Sequence, residues 1–133
     1  MIIPFINFGG QAGEAIAFYE TVFNVQNKRV SYYRDMPENV KSHFPPETEN
    51  YVMHAEMIIQ ETEVWFGDST EETTPGNRLT LAVPFSTKED MLIAFDKLKS
   101  DGKVFMEPET TFYSPLFAMV EDKFGIIWHL ICQ

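Results

Sequence analysis

One arrangement of elements occurs twice in this chain of 133 residues. An apolar run, "IIPFINF" at 2–8, leads into a helical stretch, "EAIAFYETVFN" at 14–24, and then into strand-like runs at 28–34, 51–59 and 63–67. The same order restarts with "RLTLAV" at 78–83, a helical stretch at 88–102, and strands at 103–107, 116–121 and 126–132. The two helices share letters, "EAIAFYE" against "MLIAFDK". Amphipathic helices can share letters by chance, but the matching order of elements argues for a repeat. One strand–helix–three-strand unit would leave a sheet face bare, so two are expected to combine. The predicted class is α+β: paired βαβββ modules forming a curved mixed sheet, helices outside and a concave pocket inside. Residues 1–133 are read as one domain, with modules at 1–69 and 77–133 joined by the polar "TEETTPGN".

Local signals place the elements. Pro4 suits the start of a strand or an edge strand, because it cannot donate to a ladder. In the first helix Ala15, Phe18 and Val22, with Tyr19 beside them, make an apolar stripe at helical spacing. Ser86 or Thr87 is the expected N-cap of the second helix, with Glu89 or Asp90 in position to complete a capping box, and Gly102 ends it. Residues 35–50 hold three prolines and form a long loop, against a usual connection of about 4–6 residues. Strict alternation in "YVMHAEMII" puts Val52, His54, Glu56 and Ile58 on one face and Met53, Ala55, Met57 and Ile59 on the other. In "IIWHLIC" it separates His129 from Trp128 and Leu130, which are expected under the helices, and leaves His129 facing the hollow.

Composition narrows the function. Apolar residues make up 44% of the chain, enough for a core, while the formal net charge is −10. That charge repels nucleic-acid phosphates and anionic membranes, and no run approaches the ~20 apolar residues of a bilayer span. The single cysteine, Cys132, allows no intrachain disulfide, and "MIIPFINFGG" is no signal peptide, so a cytoplasmic address is expected. "FGGQAG" lacks both the GxGxxG spacing and the lysine of a phosphate loop, and "DKFG" is a turn.

The stretches "PFINFGGQAGEAIAFYETVFN", "VMHAEMII", "VWFGDS", "LTLAV" and "GKVFMEPETTFYSPLFAMVEDKFGIIWHLI" cover nearly the whole chain. In their order and spacing they resemble the PhnB-like branch of the glyoxalase/bleomycin-resistance/extradiol-dioxygenase superfamily, the vicinal oxygen chelate fold. The resemblance implies paired βαβββ modules, a homodimer, and a concave face that holds a metal or a small molecule. It also implies four metal-ligand positions, His, Glu, His and Glu in the glyoxalase pattern. These fall at Pro4, Glu56, about Arg78, and His129. Pro4 offers no ligand and Arg78 would repel a cation, so neither a bound metal nor another cofactor is expected.

Glu56 and His129, if they share one hollow, form a carboxylate–imidazole pair able to move a proton. With Arg78 nearby they could instead grip an anionic group, or simply satisfy one another as a buried polar cluster. His54 stands beside Glu56 on its strand and could add a third group. One of Trp65 and Phe66 must face the hollow, with Trp65 the expected lining residue, and Phe112 and Tyr113 precede the seventh strand near the expected pocket rim. His43 in the long loop is read as solvated. Three functions follow. The first is metal-independent binding of a small organic molecule by a homodimer. The second is a lyase or isomerase using Glu56 and His129, with or without a metal. The third is a non-catalytic structural or interaction protein.

Overall fold

The computed structural model describes residues 1–133. The chain divides into two compact units, Met1–Thr73 and Thr74–Gln133. The first contains β1 (Phe5–Phe8), α1 (Ala12–Val22), β2 (Val25–Tyr32), the short helix α2 (Glu38–Lys41), β3 (Val52–Ile59) and β4 (Thr62–Asp68). The second contains β5 (Leu81–Phe85), α3 (Lys88–Leu98), β6 (Lys103–Glu109), β7 (Leu116–Glu121) and β8 (Ile127–Cys132). The class is α+β, two four-stranded mixed sheets, with strand orders β1-β4-β3-β2 and β5-β8-β7-β6. In each, the first strand lies parallel to the last and the remaining neighbours are antiparallel.

In the first unit, Ala55, Met57 and Ile59 of β3 and Val64 and Phe66 of β4 are buried with Ala12, Ala15, Ile16 and Tyr19 of α1. The Phe66 and Tyr19 rings lie 6.1 Å apart. The helical stripe is therefore Ala12, Ala15, Ile16 and Tyr19, while Phe18 and Val22, two of the residues expected in it, are only half-buried. The helix begins two residues earlier than the sequence pattern suggests, which adds Ala12 to the face packed on the sheet. Burial also overturns the alternation at the start of β3. Val52 is fully buried and Met53 is 41% exposed. The ladder to β2 shifts between Ser31 and Tyr32, so an extra residue opposes the partner strand and alternation restarts at His54.

The loop at 35–50 contains α2 and a single 3₁₀ turn, Pro46–Thr48, and is entered through another, Tyr33–Asp35. Pro37 and Pro45 precede helical turns and Pro46 opens one, positions where a missing N–H breaks no internal bond. In the second unit Thr87 caps α3, its Oγ1 accepting from Asp90 N at 3.1 Å. Trp128, Leu130 and Cys132 of β8 are buried together with Met91, Ala94, Phe95 and Leu98 of α3. β5 begins at Leu81, so Arg78, Leu79 and Thr80, expected on this strand, lie in an exposed segment ahead of it.

Asp68, at the end of β4, closes the first unit. It is 6% exposed. Its Oδ1 accepts from Gly10 N at 2.8 Å and Ala12 N at 3.0 Å, and its Oδ2 from Val52 N at 2.8 Å. Gly10 has φ +114°, and a Cβ there would come within 3.0 Å of the Tyr51 ring, so the turn that delivers these donors requires glycine. Burial, with the nearby Asp68 carboxylate and Tyr51 adding to it, raises the pKa of Tyr33, whose hydroxyl donates to Asp68 O at 2.7 Å. Asp68→Ala strands three backbone donors and is expected to lower the unfolding free energy by about 3 kcal/mol, read from the denaturant midpoint. Asp68→Asn, which keeps one acceptor, should lose less, and an unchanged midpoint in the alanine variant would contradict the assignment.

Candidate functional site

The register of the first sheet places four side chains in one row across all four strands. Phe5 on β1 is opposite Trp65 on β4, Trp65 is opposite Glu56 on β3, and Glu56 is opposite Arg29 on β2. Because Glu56 and Trp65 alternate with the buried Ala55, Met57, Val64 and Phe66, the row lies on the face turned away from α1. His54 is two residues from Glu56 on the same strand and shares its face.

The contacts in this row are specific. Glu56 Oε1 accepts from Arg29 Nη2 in an ion pair, and Oε2 lies 3.3 Å from His54 Nε2. An ionised carboxylate only accepts, so His54 Nε2 carries the proton in this contact. The His54 ring meets Trp65 edge-on at 5.0 Å, and Phe5 stands at 82° to Trp65 at 6.5 Å. Trp65 Nε1 donates to Glu63 Oε1 at 3.0 Å, which fixes the indole in its plane. Gly67 makes room for Phe5: a Cβ there would sit 3.2 Å from Phe5 Cζ. Phe5 remains 46% exposed. An open concavity of about 260 Å³ is lined by Arg29, Val30, Ser31, His54 and Glu56.

The hydrogen bond from His54, and then the charge and hydrogen bond of Arg29, hold the Glu56 carboxyl below its ordinary pKa against the opposing effect of desolvation. Its contribution to stability is therefore complete above the ordinary glutamate value and is lost as pH falls through the depressed one.

In the second unit the corresponding row is Ala82 on β5, His129 on β8, Met119 on β7 and Met106 on β6. His129 thus occupies the place of Trp65, and Met119 that of Glu56. His129 meets Phe117 edge-on at 5.7 Å, Phe117 meets Tyr113 at 5.8 Å, and Tyr113 meets Phe112 at 5.0 Å. Phe112 is fully exposed. The loop carrying it is pinned by Thr111 and Ser114, whose hydroxyl oxygens are 2.7 Å apart.

Of the residues expected from the sequence, His54, Glu56 and Trp65 come together in the first unit, and Tyr113 and His129 are linked through Phe117 in the second. Arg78 belongs to neither row. In the repeat, Pro4 corresponds to Leu81 and not to Arg78, because Phe5 and Ala82 hold the same register position. The sequence reading missed Arg29, Phe5 and Glu63. The signal for Arg29 was its charge opposite Glu56, but the register shift between Gln26 and Arg29, with Asn27 at φ +55°, hid the pairing.

The donor set does not suit a metal. Glu56 is engaged by Arg29 and His54, and within neither unit do three His, Cys, Asp or Glu side chains converge. Zinc and iron sites normally take three or more protein ligands. The N-terminus of α1, the usual seat for a phosphate, is filled by the carboxylate of Asp68.

Two mixed four-stranded sheets, each built as βαβββ, define the glyoxalase/bleomycin-resistance fold of the vicinal oxygen chelate superfamily. Within it, the chain belongs to the PhnB-like family whose model is described as 3-demethylubiquinone-9 3-methyltransferase and matches residues 1–131. Protein YjdN of Escherichia coli (strain K12) is 24% identical over 135 aligned residues, covering 94% of this chain and 90% of that protein. A putative 3-demethylubiquinone-9 3-methyltransferase, PhnB protein, from Bacillus cereus is similar in structure. Its TM-score is 0.83 at 28% identity, over 99% of this chain and 98% of that one. FosX, a fosfomycin resistance protein of Listeria monocytogenes solved with Mn(II), matches with a TM-score of 0.67 at 8% identity, over 98% of this chain and 90% of that one, a likeness of fold alone. No helix of the chain is long and apolar enough to cross a membrane.

In a carbon-detected NMR titration, the Glu56 carboxyl is expected to titrate below the ordinary glutamate value and to move upward in both His54→Ala and Arg29→Ala. A midpoint unmoved in His54→Ala would remove that hydrogen bond as the main cause.

Proposed function

We propose that this chain binds a small organic molecule without a metal, on the open face formed by Phe5, His54, Glu56 and Trp65. The observation that carries the reading is the half-open aromatic row ending in an ion-paired carboxylate. Large apolar walls with a few oriented polar groups are the usual make-up of a small-molecule site. Tyr113, Phe117 and His129, with the exposed Phe112, are a second aromatic face with the same potential. The superfamily resemblance supports a homodimer, and the lone cysteine a reducing, cytoplasmic setting.

Proton transfer by Glu56 fits less well. A general acid or base works best with a pKa near the working pH, and His54 and Arg29 move Glu56 away from it. The methyl transfer named in the family's description has no matching feature here. "FGGQAG" lacks the GxGxxG spacing, and the helix N-terminus behind it is closed by Asp68.

The test uses intrinsic fluorescence. Trp128 is buried and donates to Asp122 Oδ2 at 2.8 Å, so Trp65 is the tryptophan a surface ligand would perturb. Titration with a metabolite and antibiotic panel is expected to give a saturable change for some member. That change should be absent in Trp65→Phe by fluorescence, and the affinity measured by equilibrium dialysis should weaken up to about tenfold in Phe5→Ala. Dialysis that retains no panel member at micromolar concentration would reject the proposal.

A further inference from the structure

We infer that the molecule this face accepts is a small organic cation, an alkyl- or quaternary ammonium, and that it takes the place Arg29 holds on Glu56. The inference rests on the binding reading above and names its ligand class.

The two partners of the ion pair are unequal. The Glu56 side chain is 19% exposed and the Arg29 side chain 79%. The carboxylate is the more shielded partner and gains more from a cation beside it, whereas a guanidinium so exposed is readily solvated elsewhere. Arg29 comes from β2, an edge strand of its sheet, beside the register shift near the left-handed Asn27. Its departure breaks no other hydrogen bond described for its side chain. The carboxylate stays in place, because β3 is bonded on both sides and His54 holds its other oxygen.

Next to Glu56 in the row stands Trp65, and beyond it Phe5, with their rings nearly perpendicular. Aromatic faces attract a cation through their quadrupole, most strongly for indole, and two rings at right angles give two walls. A second carboxylate, Glu63, holds the indole N–H from two residues back on β4, so Trp65 has one carboxylate on its own strand and one opposite it on β3. The net charge of −10 adds a long-range field of the same sign. An anionic ligand meets the reverse situation. Arg29 is already neutralised by Glu56, and Ser31 Oγ donates to His54 O at 3.2 Å.

The experiment uses the full chain, ¹⁵N-labelled, with the Trp65 indole N–H as reporter. Three probes are compared: choline, its neutral carbon isostere 3,3-dimethylbutan-1-ol, and inorganic phosphate. Choline is expected to shift the Trp65 signal saturably, with the isostere about tenfold weaker. Arg29→Gln should bind choline severalfold more tightly, because the resident competitor is gone, and Glu56→Gln about tenfold more weakly. The inference is overturned if the isostere binds as well as choline, if phosphate alone shifts Trp65, or if Arg29→Gln binds choline no better than wild type. It is also overturned if none of the probes shifts Trp65. The choline–isostere comparison needs only the wild-type chain, so it decides even if a variant fails to fold. If a neutral or anionic molecule binds at Trp65 where choline does not, the binding reading stands and the cation assignment falls. If neither these probes nor the wider panel binds, both fall.

Discussion

The buried carboxylate of Asp68 joins three segments of the first unit. By accepting from Gly10 and Ala12 it sets where α1 begins, and by accepting from Val52 it sets where β3 begins. Since Asp68 is itself the last residue of β4, it ties the start of β3 to the end of the strand that pairs with it. A one-residue slip between β3 and β4 would exchange the two faces and bury Glu56 under α1. The position of Glu56 opposite Trp65 therefore depends on a residue in contact with neither. The same bonds close the α1 N-terminus to an external anion, so what stabilises the fold also narrows its chemistry.

The second unit reaches the same topology without this device. Cys132 occupies the register position of Asp68, opposite Phe85 as Asp68 is opposite Phe8. Its helix is capped locally by Thr87. The buried carboxylate instead lies at the β7–β8 turn, where Asp122 accepts from Phe124 N, Ile126 N and Trp128 Nε1 at 2.8, 3.1 and 2.8 Å. In both units one acidic side chain gathers backbone donors that an irregular connection would otherwise strand. The rows have diverged more than the scaffold. Phe5, Trp65, Glu56 and Arg29 correspond to Ala82, His129, Met119 and Met106, so the charge pair has been kept or gained on one side only.

This pattern explains which parts of the molecule could be read from the sequence. The order of elements, the Thr87 cap and the burial of Trp128 and Leu130 follow from local periodicity and capping chemistry, which one sequence displays. The start of β5 does not. "RLTLAV" alternates well enough to look like a strand from Arg78, but a parallel strand extends only as far as its partner. β8 begins at Ile127, just beyond the turn held by Asp122, and leaves nothing for Arg78 to pair with. The face of Val52 and the partner of Glu56 were hidden for a related reason. Both depend on register shifts between β2 and β3, and a shift is a property of two strands that neither displays alone. His54, Glu56 and Trp65 were legible as candidates because alternation holds from His54 onward. Arg29 was not, because the irregularity lies on its own strand.

Family likeness pairs His129 with Glu56 as two of four ligand positions. The repeat instead sets His129 level with Trp65, on the last strand of its unit, and Glu56 on the strand before. The two are not symmetry mates, and each sits among neighbours of a different kind: His129 beside methionine and aromatic rings, Glu56 beside a guanidinium and an imidazole. A metal holds its ligands by supplying the positive charge that a cluster of donors lacks. At Glu56 that charge is already supplied from within, by Arg29. Any ligand that uses this carboxylate must therefore replace an existing partner, and its selectivity depends on how it compares with an arginine. That comparison is set by charge and by the aromatic wall beside the carboxylate, neither of which the βαβββ scaffold specifies.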